Sequence, residues 1–181
     1  MKKILIAGGG IGGLAAALAL LDRGFDVEVY EQASDLKEVG AGLQLSANGN
    51  RALFELGVGE ALKLLSCEAT GKEVRLWNTG DTWKLFDLGA VSVERYGYPY
   101  FTVYRPDLLA VLAAGVRAIK PDAIRLGNRV TGFEERGDGV ILKLEKGVAE
   151  GDALIGADGV HSRIRQGLFG ADRPQFTGLM A

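Results

Sequence analysis

The sequence is short of the residues that most readily build covalent or metal-held sites. Its 181 residues include one cysteine, Cys67, and one histidine, His161. A lone cysteine cannot close an internal disulfide, and the pair cannot furnish a His/Cys metal cluster. Cys67 reads as a small apolar residue rather than a nucleophile. An excess of charge is missing too: 21 Lys and Arg stand against 23 Asp and Glu, a net charge of −2. That balance leaves no electrostatic footprint for nucleic acid, and no basic cluster marks an acidic membrane surface. The apolar run after Lys2 and Lys3 is broken by glycines and is too short for a signal segment or a membrane span. No internal repeat and no low-complexity tract occurs. No nucleophile–base pair stands out, which weighs against a hydrolase. What remains is the expectation of a soluble, cytoplasmic globular protein whose default partner is a small ligand.

What is present is concentrated in residues 2–31. Lys3-Ile-Leu-Ile-Ala7 is a short continuous apolar run, the pattern of a strand covered on both faces of a parallel sheet, and it runs into Gly8-Gly-Gly-Ile-Gly-Gly13. Leu14 to Leu21 is rich in Ala and Leu and predicts a helix, with Gly24 placed for a left-handed cap. Asp26-Val-Glu-Val-Tyr-Glu31 alternates as a second strand. In such a βαβ unit Gly8 permits the tight turn, Gly10 admits a pyrophosphate to the backbone, and Gly13 lets helix and sheet pack closely. The phosphates would meet free N–H groups at the positive end of the helix. Glu31 ends the second strand, where a carboxylate can accept hydrogen bonds from a ribose diol. The glycine loop and Glu31 serve either FAD or NAD, so a dehydrogenase stays open at this point.

Gly40 to Asn48 reads as an extended segment crossing a ligand, and Asn48 is expected to cap a helix through Leu56 that Gly57 ends. A short helix is predicted over Gly59 to Leu65. Period-two alternation over Glu73–Trp77 and Thr82–Leu88, joined by Asn78–Asp81, predicts a β-hairpin. Trp77 and Trp83 are expected as core between this hairpin and another layer, with a pocket lining as the alternative. Arg105 precedes Pro106-Asp107 and a helical run of Leu108, Leu109, Leu112 and Val116, so it sits at a helix N-terminus; it either reinforces an anion site or pairs with a surface acid. Ala123–Leu126, Arg129–Glu134 and Val140–Glu145 read as a small antiparallel meander. Asp152–Gly156 reads as another buried strand, followed by Ala157-Asp158-Gly159 and a helix capped by Ser162. The tail from Gly170 through Pro174 to Ala181 looks like the start of a further element.

Taken together, Gly8-x-Gly10-x-x-Gly13 with Glu31, Gly40-Ala-Gly-Leu-Gln-Leu-Ser46, Arg105 before a helix, and Asp152-x-Leu-Ile-Gly-Ala-Asp158-Gly-x-x-Ser162-x-x-Arg165 resemble the single-component flavin-dependent aromatic hydroxylases. The likeness is greatest to the salicylate hydroxylase and 6-hydroxynicotinate 3-monooxygenase branch. The resemblance implies an α/β fold: a Rossmann-type FAD-binding parallel sheet with an antiparallel β-meander, plus the beginning of a β-rich substrate domain. It implies an FAD-binding domain over residues 1–66 and 100–170 and a partial substrate domain over 67–99 and 171–181.

By the same resemblance, Gly8, Gly10, Ile11, Gly12 and Gly13 hold the FAD pyrophosphate, Glu31 binds the adenosine ribose, and Gln32 lies on the adenine side. Gln44 joins the cofactor contacts, Arg105 meets the phosphate or ribityl region, and Val130 offers a backbone contact to adenine. Asp158 belongs to a motif associated with FAD and reduced nicotinamide, which favours FAD over the dehydrogenase reading; Arg165 braces that motif, and His161 fills a variable slot. No catalytic residue and no metal is expected. The implied activity is FAD-dependent hydroxylation of a small aromatic acid with NADH or NADPH and O2, in a chain able to form a homodimer.

Departures from the family pattern are Ala47, Gly49 and Tyr104. The second Gly-Asp motif and most of the substrate domain do not appear, so the chain is expected to be an N-terminal portion. Alternatives are an FAD- or dinucleotide-binding module without hydroxylase activity, or a related flavin-dependent epoxidase, tetracycline-type monooxygenase or reductase.

Overall fold

The computed structural model describes residues 1–36, 41–171 and 175–178. Gly40 of the extended segment and Pro174 and Ala181 of the tail lie outside the described residues. From the N-terminus the chain forms β1 (Lys3–Ala7), α1 (Ile11–Asp22), β2 (Asp26–Tyr30), β3 (Gly42–Leu45), α2 (Ala47–Glu55) and α3 (Gly59–Lys63). There follow β4 (Ser66–Glu68), β5 (Gly71–Arg75), β6 (Thr82–Asp87), α4 (Gly89–Tyr96), β7 (Phe101–Tyr104) and α5 (Arg105–Ile119). The remaining elements are β8 (Ile124–Arg125), β9 (Val130–Arg136), β10 (Gly139–Leu144), β11 (Gly147–Gly151), β12 (Ala153–Gly156) and α6 (Arg163–Phe169). Two compact units result: Met1–Leu36 with Leu112–Ala181, and Lys37–Val111. Among the described residues no helix is long and apolar enough to cross a membrane.

The first unit is an α/β layer structure around a parallel four-stranded sheet of order β12-β1-β2-β8. Lys3–Ala7 is the central strand that its unbroken apolar run predicts, with Ile4, Leu5, Ile6 and Ala7 all buried. Leu5 and Ala7 point toward Val140, Leu142, Ala149 and Ile164 of the meander and α6. Alternation sends Ile4 and Ile6 to the opposite face, and α1 packs on β2 and β1 with Leu14, Ala17, Leu18 and Leu21 buried. Each such aliphatic side chain contributes about 1.5–3 kcal/mol on full burial. Gly24, at φ 78°, terminates α1 in the left-handed region as its placement predicts.

Two strand expectations need correction. The Ala123–Leu126 segment yields β8, which pairs parallel with β2 instead of joining the meander; it follows α5, and a crossover through a helix returns the chain parallel. The third meander strand is β11, giving the order β11-β10-β9. Its sequence, Gly147-Val-Ala-Glu-Gly151, has too few apolar residues for a periodicity signal. The Asp152–Gly156 run forms β12, but on an edge of the sheet, with Ala153 exposed and Leu154 and Ile155 half-buried.

The second unit contains the antiparallel sheet β3-β7-β4 with α2, α3 and α4. Phe101 and Val103 of β7, Leu53 of α2 and Leu62 of α3 are buried. Ser46, not Asn48, stands at the N-cap of α2, with its hydroxyl bonded to the Asn48 side chain; the helix begins earlier because Ala47 and Asn48 already adopt helical backbone. Gly57, at φ 77°, ends the helix as expected. Helix α4 is not signalled by the sequence pattern, since Val91 and Val93 are β-branched and both exposed.

The β5–β6 hairpin forms, but Trp77 and Trp83 do not form core: they are 95% and 51% exposed. Trp77 falls in the turn, and both hairpin strands are exposed along their whole length. A register shift between Lys72 and Glu73 pairs those residues with Phe86 and Lys84, leaving Leu85 unpaired as a β-bulge. The bulge places Trp83 and Phe86 on one face with Val74, and Lys84 and Asp87 on the other. The Lys84–Asp87 ion pair follows from this, because residues three apart in a regular strand point to opposite faces. Arg75 Nε donates to Thr82 Oγ1 at 3.2 Å on that same polar face.

Candidate functional site

The site begins where β1 stops. Gly8 turns the chain at φ 104°, a conformation that disfavours any side chain, and its N–H donates to Tyr30 O at 2.8 Å. A Cβ on Gly8 would collide with the Ala157 carbonyl oxygen and lie 3.0 Å from Asp158 N. A Cβ on Gly13 would collide with the Gly8 carbonyl. These two glycines are therefore required by the fold: one lets β12 run beside the turn, the other lets α1 close onto it. Gly10 and Gly12 differ, because nothing among the described residues lies within 4 Å of a Cβ built on either. Gly10 has extended backbone (φ −73°, ψ −176°) that any residue adopts. Among the described residues no packing calls for glycine there, so the open space is available to a ligand.

Helix α1 opens at Gly10 without a side-chain cap and without an acidic residue in its first turn. Its first N–H groups thus have no intrahelical partner, and no carboxylate of the helix's own first turn offsets the positive end of the dipole. An anionic phosphate fits such an end. Glu31 lies directly after β2 and is held at both oxygens: Oε2 accepts from Gly9 N at 2.7 Å and Oε1 accepts from Ala33 N at 2.8 Å. The carboxylate thereby joins the β2 terminus to the glycine loop and keeps lone pairs for further donors, as a ribose diol would supply. Gly9 is a residue that sequence reasoning missed, as it fills a variable position of the motif. Its Cβ would come within 2.9 Å of Glu31 Cβ, so a close approach again explains the glycine.

Gln32 is exposed beside this corner. The loop after β8 returns to it, with Gly127 N donating to Ala33 O at 2.9 Å and Asn128 N to Glu31 O at 2.8 Å. Val130, two residues on, starts β9 opposite Leu144 and is half-buried against the core. Asp158 follows β12 next to Gly8, through the Ala157 N to Ala7 O bond of 2.8 Å. Its carboxylate caps α6, accepting from Ser162 Oγ at 2.5 Å, Arg163 N at 2.6 Å and Ile164 N at 3.2 Å. Arg165 braces the loop, with its guanidinium donating to Gly159 O at 3.4 Å and Val160 O at 2.6 Å. His161 is exposed in the same loop.

Gly8 to Gly13, Glu31, Gln32, Val130 and Asp158 are thus all in the first unit. Gln44 and Arg105 belong to the second. There, β3 pairs with β7, setting Gln44 opposite Thr102, and Arg105 N donates to Ala41 O at 3.1 Å as α5 begins. Cys67, expected as an inert small apolar residue, is an exposed thiol on β4. A polar depression lined by Lys3, Arg136, Asp138, Glu150 and Asp152 opens at the amino end of β1. In parallel α/β sheets ligands bind beyond the carboxyl ends of the strands, where the glycine loop lies, and this depression is at the other end.

Comparison with known proteins accords with this geometry. The chain is 41% identical over 177 residues to the 3-amino-4-hydroxybenzoate 2-monooxygenase PtnB3 of Streptomyces platensis, an alignment covering 97% of this chain and 44% of the relative. It is 38% identical over 180 residues to the 6-hydroxynicotinate 3-monooxygenase of Pseudomonas fluorescens, covering 99% and 46%. Among solved structures, a variant of Klebsiella pneumoniae HpxO complexed with FAD superposes with a TM-score of 0.79 at 32% identity, over 92% of this chain and 42% of that one. The chain therefore spans a little under half the length of these relatives. The FAD binding domain family matches residues 1–180, so both units described above fall within it, and the chain belongs to the FAD binding domain family.

Proposed function

We propose that this chain is the FAD-holding part of an NAD(P)H-dependent monooxygenase that hydroxylates a small hydroxylated aromatic acid. The observation that carries the reading is the contrast within the glycine loop: Gly8 and Gly13 answer to packing, whereas Gly10 and Gly12 face open space at an uncapped helix N-terminus. The relatives supply the reaction class, since their names are those of hydroxybenzoate and hydroxynicotinate monooxygenases. FAD, when bound, supplies electron storage and oxygen activation. The residues of this chain bind and orient it. The amides at the start of α1 receive the pyrophosphate, Glu31 the adenosine ribose, Gln32 and the Val130 backbone the adenine side, and Gln44 and Arg105 the remaining polar contacts.

In this reading residues 1–66 and 100–170 serve FAD, and 67–99 with 171–181 belong with the substrate-binding part. The active protein is a cytoplasmic enzyme able to form a homodimer. The test is the visible absorbance of the purified chain, followed by that of the supernatant after heat denaturation. A released flavin spectrum supports the reading; a chain that stays colourless with added FAD overturns it.

A second reading follows from the share of its relatives that the chain spans, 44% of the first of them. Here the 181 residues act as an FAD-binding module without hydroxylation. Product detection over a panel of aromatic acids separates the two. NADH oxidation alone does not, because reduced flavin also passes electrons to oxygen without hydroxylating.

A further inference from the structure

Within the second unit, β3 and β7 pair antiparallel with Gln44 opposite Thr102 and Leu45 opposite Phe101. Phe101 and Val103 are buried, so alternation turns Tyr100, Thr102 and Tyr104 to the other side, together with Gln44. Across that face Tyr100 Oη donates to Gln44 Oε1 at 2.9 Å, a diagonal cross-strand contact. The backbone that carries Tyr100 is heavily restrained. Asn50 is fully buried, and its Nδ2 donates to Leu45 O at 3.2 Å and Pro99 O at 2.9 Å, tying the end of β3 to the approach of β7. Ser92 Oγ donates to Tyr98 O at 2.9 Å, Ala69 N donates to Tyr100 O at 2.9 Å, and the Tyr98 ring tilts against Phe54 at 5.5 Å. Asn50 Oδ1 is buried, with no hydrogen-bond partner among the described residues.

An exposed glutamine ordinarily offers its oxygen and its NH2 interchangeably, since rotation about χ3 exchanges them. We propose that Tyr100 is a positioning residue for Gln44: its hydroxyl engages the amide oxygen and turns the NH2 outward as a fixed donor for an acceptor atom of the cofactor. The inference rests on the reading that Gln44 contacts FAD. It assigns Gln44 a donor role and makes Tyr100, which follows the Tyr98 and Pro99 carbonyls tethered by Ser92 and Asn50, the group that enforces it.

The experiment titrates FAD into the stripped protein and follows quenching of flavin fluorescence, for the parent, Tyr100→Phe, Gln44→Ala and the double variant. Tyr100→Phe is expected to weaken FAD binding roughly three- to tenfold, the worth of one ordinary hydrogen bond, and to shift the bound-flavin absorption envelope. The double variant is expected to bind no more weakly than Gln44→Ala alone. The hydrogen-exchange rate of the Ala69 amide reports whether the β4 end remains paired with the approach of β7, because Ala69 N donates to Tyr100 O at 2.9 Å. That rate is expected to be unchanged in Tyr100→Phe.

Unaltered FAD binding in Tyr100→Phe, with Gln44→Ala weakened, overturns the role of Tyr100 and leaves Gln44 in place. Additive losses in the double variant, or a raised Ala69 exchange rate, also overturn it by showing an effect through the fold. Unaltered binding in Gln44→Ala removes the basis for both residues. A parent that fails to quench FAD sinks the FAD reading itself.

Discussion

At the scale of single residues the glycine loop sorts itself into two kinds of position. Gly13→Ala drives a methyl into the Gly8 carbonyl and is expected to destabilise the fold by about 1–3 kcal/mol, read as a lowered urea midpoint with or without FAD. Gly10→Ala meets nothing among the described residues, so the apo midpoint should stay put while FAD affinity falls about tenfold or more. If both variants lose stability equally, the division between packing and ligand glycines is wrong. Glu28 gives a pH handle. Burial opposes its charge, but hydrogen bonds from Tyr30 and Lys3, the Lys3 charge at 2.9 Å and a hydrogen bond from Arg125 outweigh that and hold the carboxyl at about 2. The native value lies below the ordinary one of 4.5, so this cluster's contribution, about 2 kcal/mol once solvent screening reduces it, is complete above about pH 5 and fades as pH falls toward 2. Unfolding free energies measured along that range should slope in the parent and flatten in Glu28→Gln. Motif spacing made Gly8, Gly10, Gly13 and Glu31 legible in the sequence. The Gly9–Glu31 bond was not legible, because it joins residues that only the β1–β2 pairing brings together.

At the scale of elements, a helix is legible when its cap and its apolar spacing agree. Helix α6 is such a case: Ser162 accepts from Arg165 N at 2.9 Å, as its sequence position predicts, and Asp158 adds two backbone bonds from outside the helix. Ser162→Ala is expected to cost about 1 kcal/mol, and Asp158→Ala rather more, since it also releases the loop beside Gly8. Thermal melts of the two variants test the order; a larger loss in Ser162→Ala would contradict it. The hairpin shows the opposite case. Its two strands were legible from alternation, but the Leu85 bulge was not, and the bulge is what gathers Val74, Trp83 and Phe86 onto one face. Deleting Leu85 should restore an uninterrupted ladder with the same residues on each face, leaving tryptophan fluorescence near that of the parent. A blue shift or loss of strand signal in circular dichroism would rule out this register. Helix α4 and strand β11 escaped because β-branched residues in the first and a scarcity of apolar residues in the second hide their periods.

At the scale of the whole molecule, the parallel layer was legible from one βαβ unit and the rest of the fold class from the family resemblance, whereas the covering of the hairpin was not, because alternation says that a face is apolar and not what lies against it. With Trp77, Trp83, Leu85 and Phe86 exposed, the purified 181-residue chain is expected to self-associate as concentration rises, and Trp83→Lys should reduce this in analytical ultracentrifugation. A monomer at all concentrations would rule that out. The pairing of β12 with β1 also sets a timetable. Residues 153–156 must lie beside residues 4–7 before the Gly8 turn acquires its neighbour at Ala157. On a ribosome adding about 5–20 residues per second, the first strand waits on the order of ten seconds for its partner. The nascent N-terminal half therefore spends that interval with one side of its central strand unpaired, a period in which chaperones would find it and in which cofactor capture has yet to begin.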